Sequence, residues 1–534
     1  MKMKGRCFLL FALLFSFVAR AENVEVNGIC YHLISDGIAE VTTGSTQCSG
    51  AVEIPATFTY QSVVYQVEGI GNNAFKNCSA LTSIVIPEGL KTIGTYAFAG
   101  CKALTSVVFP DSLTRILAYA FSDCTSLKKV QISNHVETLG AYAFSGCSAM
   151  ESVTLGSGLV EISSGAFQNC TSLADVDILD LASYCRMKIT GAAEVGSCSN
   201  PFKYATTLRI NGVKTTELVI PDGVIEISDC VFFGCNAIES LVVPNSVERI
   251  GKCSFFECKN LLSIALSEKL QLIGEHAFDG CVVLNGLSIP DNVASIDNYA
   301  FNRCYALDTV AFGKNLESIG NLSFCNCSSI SAIELPNKVK TIGNQCFYGC
   351  SQLATVSLPA SITTIGNFAF RDDPSLSNVY CYATMLPTAP ENVFMNSGVA
   401  KATLHVQESV LELYQATTPW SSFGKFEVVI DEMPQCATPT IALHGQKLSF
   451  TCVTDRVEFV SKVSFVNSDE EHVGNEVLLT GRVRVNVFAR KEGYRDSEEA
   501  VEEFDLPKLG DANGDGQITI ADVTTLVNII LGKQ

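Results

Sequence analysis

Near the end of the chain, Asp511, Asn513 and Asp515 alternate with other residues, Gly516 follows at once, and Asp522 closes a run of twelve. Oxygen-bearing side chains at the first, third and fifth positions of such a loop surround a hard cation, and the glycine permits the sharp turn between them. Gln517 would offer its backbone carbonyl, Thr519 could hold a water, and Asp522 stands where an EF-hand has glutamate. The chemistry implied is Ca2+ binding, with a solvated Asp/Asn turn as the plain alternative. Behind the loop, Val523, Leu526, Val527 and Ile530 share one face of a short helix.

Cysteine is the second set. The chain has 23 cysteines, and Cys78, Cys101, Cys124, Cys147 and Cys170 are each 23 residues apart. The same spacing returns in Cys235, Cys258, Cys281, Cys304, Cys327 and Cys350, and a Phe precedes every one by three residues. Phe370 continues the series, with Asp373 in the cysteine's place. Equivalent side chains on stacked coils are about 4.8 Å apart, wider than the roughly 3.5–4.5 Å a disulfide needs between Cβ atoms. The ladder therefore reads as buried free thiols acting as small hydrophobes. Outside it, proximity allows Cys30 with Cys48 and Cys436 with Cys452.

Catalytic patterns do not emerge. His32, His135, His276, His405, His444 and His472 are scattered singly, and neither H-E-x-x-H nor G-x-S-x-G occurs. Gly69-x-Gly71-x-x-Ala74 fits a loose dinucleotide loop but is the turn of the first repeat, without a βαβ setting. Paired carboxylates of the glycosidase kind leave no signature in sequence. No catalytic residue is assigned, and the expectation is a protein that is not an enzyme.

A fixed period of this size marks a solenoid. In the unit Leu81 to Cys101, Leu81, Ile84 and Ile86 point inward from a short strand that Pro87 ends; Leu90 and Ile93 turn the chain back, and Ala97 and Phe98 fill the middle. One unit cannot bury these residues alone, so stability is a sum of unit and interface terms. The recurring L-x-x-[IV]-x-[ILVF]-P and [LV]-x-x-I-G-x-x-A-F-x-x-C resemble the BspA-type leucine-rich repeats of bacterial surface proteins over about residues 70 to 380. That resemblance implies adhesion to host or extracellular proteins. The fold class expected is mainly β with short helical or irregular turns: a leucine-rich-repeat solenoid of about a dozen units, then a small β-sandwich and a short calcium-loop helix.

The domains follow. Residues 1–21 read as a secretory signal peptide, with Lys2, Lys4 and Arg6 before an apolar stretch and Ala19-Arg20-Ala21 as the cleavage site. Residues 22–69 form an N-terminal β cap. The solenoid covers 70–433, including a variant unit at 180–212 and a C-terminal cap at 381–433, where Tyr414 and the lone Trp420 help close the last coil. Residues 434–507 alternate as short strands (Leu448 and Phe450, Val457 and Phe459, Val483, Val485 and Val487), suggesting a β-sandwich module. Residues 508–534, which carry the calcium loop, resemble a single dockerin repeat, which implies a cohesin-like partner. The formal charge of -19 repels nucleic acid and anionic membrane surfaces, and no later apolar run is long enough to span a bilayer.

Alternation along the longer strands names a candidate binding face. It comprises Ser83, Val85, Ser106, Val108, Lys129, Gln131, Ser152, Thr154, Asp175 and Asp177 in the first block of repeats, and Glu217, Ser240, Ser263, Ser288, Thr309, Glu334, Thr355 and Tyr380 in the second. These side chains are mostly small and nearly devoid of the aromatics that usually anchor interfaces; a merely solvated face fits them as well. The function expected is a secreted or cell-surface binder of extracellular or host proteins. The other reading is a non-catalytic part of a glycan-degrading assembly, holding a glycan or a cohesin-like module.

Overall fold

The computed structural model describes residues 22–35, 37–44, 48–190, 200–429, 440–444, 447–451, 458–473, 476–490 and 499–505. The expected signal peptide, the expected calcium loop Asp511 to Asp522 and the expected pairing of Cys436 with Cys452 lie outside the described residues. The chain divides into two units, one ending at Val428 and one starting at Val429.

The first unit is a β-solenoid of about 15 turns. That exceeds the dozen counted from cysteine because the caps and the irregular unit at 180–212 coil too. Each regular turn carries a longer strand, such as Ser106–Val108 or Lys129–Gln131, and a two-residue strand, such as Arg115–Ile116 or Thr138–Leu139. These strands pair in parallel with their equivalents in the next coil, as Val130 does with Val153 and Ile116 with Leu139. Leu81, Ile84, Ile86, Leu90, Ile93, Ala97 and Phe98 are all buried, as the single unit required. The phenylalanines form a column of parallel rings with centroids 5.0 to 5.7 Å apart.

The irregular unit interrupts the sheets without interrupting the core. Asp180 caps the short helix Leu181–Cys185 by accepting from the Ser183 N–H. Phe202 and Tyr184 fill the column between Phe167 and Phe232, with Phe202 6.2 Å from Phe232. Strands Thr207–Ile210 and Val213–Thr215 pair antiparallel around Asn211-Gly212, a two-residue turn with positive φ at both positions, and end the first long sheet.

At the N-terminal end, Glu22–Val26, Ile29–Ser35 and Ile38–Val41 pair antiparallel and join the short-strand sheet. At the other end, Thr403–Val406 and Lys425–Val428 extend the long-strand sheet. Trp420 and Tyr414 are fully buried with rings 5.2 Å apart, which is packing and not a sugar platform.

In the second unit, Thr440–His444 pairs with Lys447–Thr451, and Glu458–Val473, Glu476–Arg490 and Ala500–Asp505 form an antiparallel sheet. Two of these strands have 16 and 15 residues, longer than the short strands expected. The polar run Asp469 to Glu471 is paired with Leu478 to Thr480.

Candidate functional site

The ladder thiols do more than fill space. Cys101 donates its Sγ–H to the Phe75 carbonyl at 3.1 Å, and the pattern repeats 26 residues back at Cys124, Cys147, Cys170, Cys258, Cys281, Cys304, Cys327 and Cys350, at up to 3.4 Å. Each thiol ties its own coil to the coil before, as a second donor to a carbonyl that already accepts a backbone N–H in its own coil, as Phe75 does from Cys78 at 3.1 Å. Burial pushes the Cys101 thiol up to about 12, so these sulfurs stay protonated and unreactive. Two cysteine readings need correction. Cys78 is not a free thiol, and Cys30 does not pair with Cys48; instead Cys48 and Cys78 form a disulfide. Cys78 opens the ladder, so no preceding repeat offers a Phe carbonyl. The cap strand Ser49–Glu53, paired with Ala80–Val85, brings Cys48 beside it instead.

The face named from sequence is outward throughout. None of its residues is buried, and Val85 and Val108 are 55% and 77% exposed. Asp175 and Asp177 are held by the hairpin that follows the short helix: Arg209 Nε donates to Asp175 at 2.8 Å, and the Gly212 N–H to Asp177 at 3.0 Å. At the other end, Tyr380 stacks on His405 at 4.2 Å. His405 lies 3.1 Å from Asn378, and its desolvation lowers its pKa.

Sequence reasoning missed a second face. In the second block of repeats, seven two-residue strands from Glu226–Ile227 to Thr364–Ile365 form one unbroken sheet, whereas the longer strands of the same coils separate into sheets of three, two and five. An open groove of about 410 Å³ runs along the two-residue strands. Ser295, Ser318, Thr341, Asp297 and Asn321 line it over Ile296, Ile319 and Ile342.

In the first block of repeats, tyrosines follow the two-residue strands. Tyr96, Tyr119 and Tyr142, half-buried, stack at 4.7 and 4.9 Å, and Lys76 covers the Tyr96 end at 4.5 Å. All three hold φ near +57°, which costs about 1–2 kcal/mol each for an L-residue and is offset by stacking and by bonds such as Tyr96 N–H to the Ala118 carbonyl at 3.1 Å. Their signal in sequence was a Tyr two residues before each of Phe98, Phe121 and Phe144.

His276 joins a buried structural network. Its Nδ1 lies 2.7 Å from Asp279, which also accepts from Arg303 Nε at 2.9 Å and Asn302 at 3.1 Å. Among the described residues, no group of three or more His, Cys, Asp or Glu could hold a metal ion, and no helix is long and apolar enough to cross a membrane.

Comparison with known proteins agrees with this architecture. A leucine-rich repeat protein from Bacteroides ovatus is 24% identical, with 76% of this chain and 100% of that one covered and a TM-score of 0.50. The pneumococcal vaccine antigen PcpA is 17% identical over 77% of this chain and 99% of its own, at a TM-score of 0.35. A leucine rich cell surface protein from Faecalibacterium prausnitzii is 21% identical over 67% and 94%, at 0.31. No curated protein matches the chain. The BspA type leucine rich repeat region matches residues 68–187, 210–328 and 295–416, in six copies. With most of its length matched in this way and its coils stacked as described, the chain belongs to the BspA-type leucine-rich repeat family.

Proposed function

We propose that this protein is an exported, non-catalytic binder that holds an extracellular or host protein along the faces of its coil array. The observation that carries the reading is the groove along the two-residue strands of the second block, which is lined by Ser, Thr and Asn side chains and is open instead of an enclosed pocket. The tyrosine row adds the rigid aromatic anchors that interface hot spots favour. Export rests on the basic and apolar start of the chain. The test is retention of the purified full chain on immobilised extracellular-matrix proteins. Binding that weakens at least about 30-fold in Tyr119→Ala, the scale of a hot-spot residue, supports the reading. No retention on any of them sinks it.

A second reading rests on the sequence of the C-terminal loop. Asp511, Asn513, Asp515, Gln517 and Asp522 would hold Ca2+, and the dockerin-like segment would attach the chain to a glycan-handling assembly. Capture of a cohesin-bearing protein, lost on chelation, favours it; failure of capture at saturating calcium removes it.

A further inference from the structure

Along the ladder, one hydrogen-bond donor per coil faces the Phe carbonyl of the coil before. Cys350 donates to Phe324. Two coils later the sulfur is gone, yet the role survives: the Ser397 hydroxyl donates to the Phe370 carbonyl. Between them, the residue in the donor's place is Asp373, which by the same count faces the carbonyl of Phe347. A carboxylate cannot donate, whereas a carboxylic acid can.

The surroundings favour the acid. Asp373 is fully buried, and neither carboxyl oxygen has a protein hydrogen-bond partner. Among the described residues, no cation compensates it. Arg371, two residues away, lies 3.4 Å from Asp372 and over the rings of Phe368 and Tyr348. The other titratable groups that face Asp373 are the Asp372 carboxylate on its own coil and the Cys350 and Cys325 thiols of earlier coils. The carboxylate opposes a second negative charge, and protonated thiols supply no positive one. The Cys350 backbone N–H pulls the other way without making a hydrogen bond.

We propose that Asp373 is carried in the folded protein as a neutral carboxylic acid taking the thiol's donor place, so that the C-terminal coils tighten in acid and loosen as pH rises. Desolvation is the main cause that pushes this carboxyl up to about 9, with the Asp372 charge adding to it. In an opened coil, the same group would ionise near pH 4. Between those values opening releases a proton, so the opening constant rises about tenfold per pH unit. Below pH 4 and above pH 9, the contribution is flat.

Hydrogen exchange of the full-length protein tests this, followed at the amides around Phe347, Phe370 and Phe394 from pH 5 to 9 beside Asp373→Asn. That variant keeps an N–H donor and cannot ionise. Its intrinsic exchange matches the wild type at each pH, so the ratio of opening constants isolates Asp373. The ratio of wild type to variant is expected to climb about tenfold per pH unit and to level off near 9. A ratio unchanged over that range overturns the proposal, because Asp373 would then be ionised while folded. If the variant fails to fold, infrared spectra of the wild type decide: a protonated-carboxyl band persisting at pH 7 supports the proposal, and its absence refutes it.

Discussion

Phe278 lies between Phe255 and Phe301, with ring centroids at 5.3 and 5.4 Å, and is wholly buried. Truncation removes contacts with two coils at once and leaves a cavity that neither neighbour can close without abandoning its own stack. Phe278→Ala is expected to lower stability by about 3–5 kcal/mol, read from the midpoint of urea unfolding. Val108→Ala, at a side chain 77% exposed, should stay within about 0.5 kcal/mol. Equal effects at the two positions would contradict the burial that defines the fold. The rows of Phe and Cys were legible in sequence because identical residues at a fixed period must occupy identical places. The hydrogen bond that each thiol makes was not, since spacing says nothing about which carbonyl of the neighbouring coil comes within reach of the sulfur.

Within one coil, the two-residue strand and its turn approach the previous coil closely. A Cβ placed on Gly140 would lie 2.4 Å from the Ala118 nitrogen and 2.5 Å from the Leu117 carbonyl carbon, both backbone atoms. This close approach, and not a left-handed φ, explains why glycine follows the isoleucine in so many repeats. Gly140→Ala must push two coils apart, and about 1–3 kcal/mol is the expected loss. A fall in melting temperature checks it; an unchanged value would mean that the coils separate without penalty. The long strands and their alternation were predictable. The cysteine pairing was not. Cys30 lies nearer Cys48 in sequence than Cys78 does, but strand Ser49–Glu53 pairs with Ala80–Val85 and brings Cys48 to a residue 30 positions on.

For the whole molecule, the calcium loop makes a clear demand. If Asp511, Asn513, Asp515, Gln517 and Asp522 form a cage, calorimetric titration of the full chain with CaCl2 should show saturable uptake, and Asp511→Ala should abolish it by removing a ligand with full charge. Equal heats from both proteins would refute the assignment. That test leaves the array itself untouched, so its outcome separates the assembly reading from the adhesive one.

By itself, the sequence determined that this chain is a stack. A 23-residue period with Phe, Cys and Ile at constant places can bury those residues only against copies of themselves, whatever the surroundings. Tertiary structure alone decided that the two-residue strands of the second block form one unbroken sheet with an open groove along it. Outward residues carry no mark of that groove, because either face alternates in the same way. Asp373 lies between these cases: its position in the row could be read from the period, but its charge state depends on how completely the neighbouring coils exclude water.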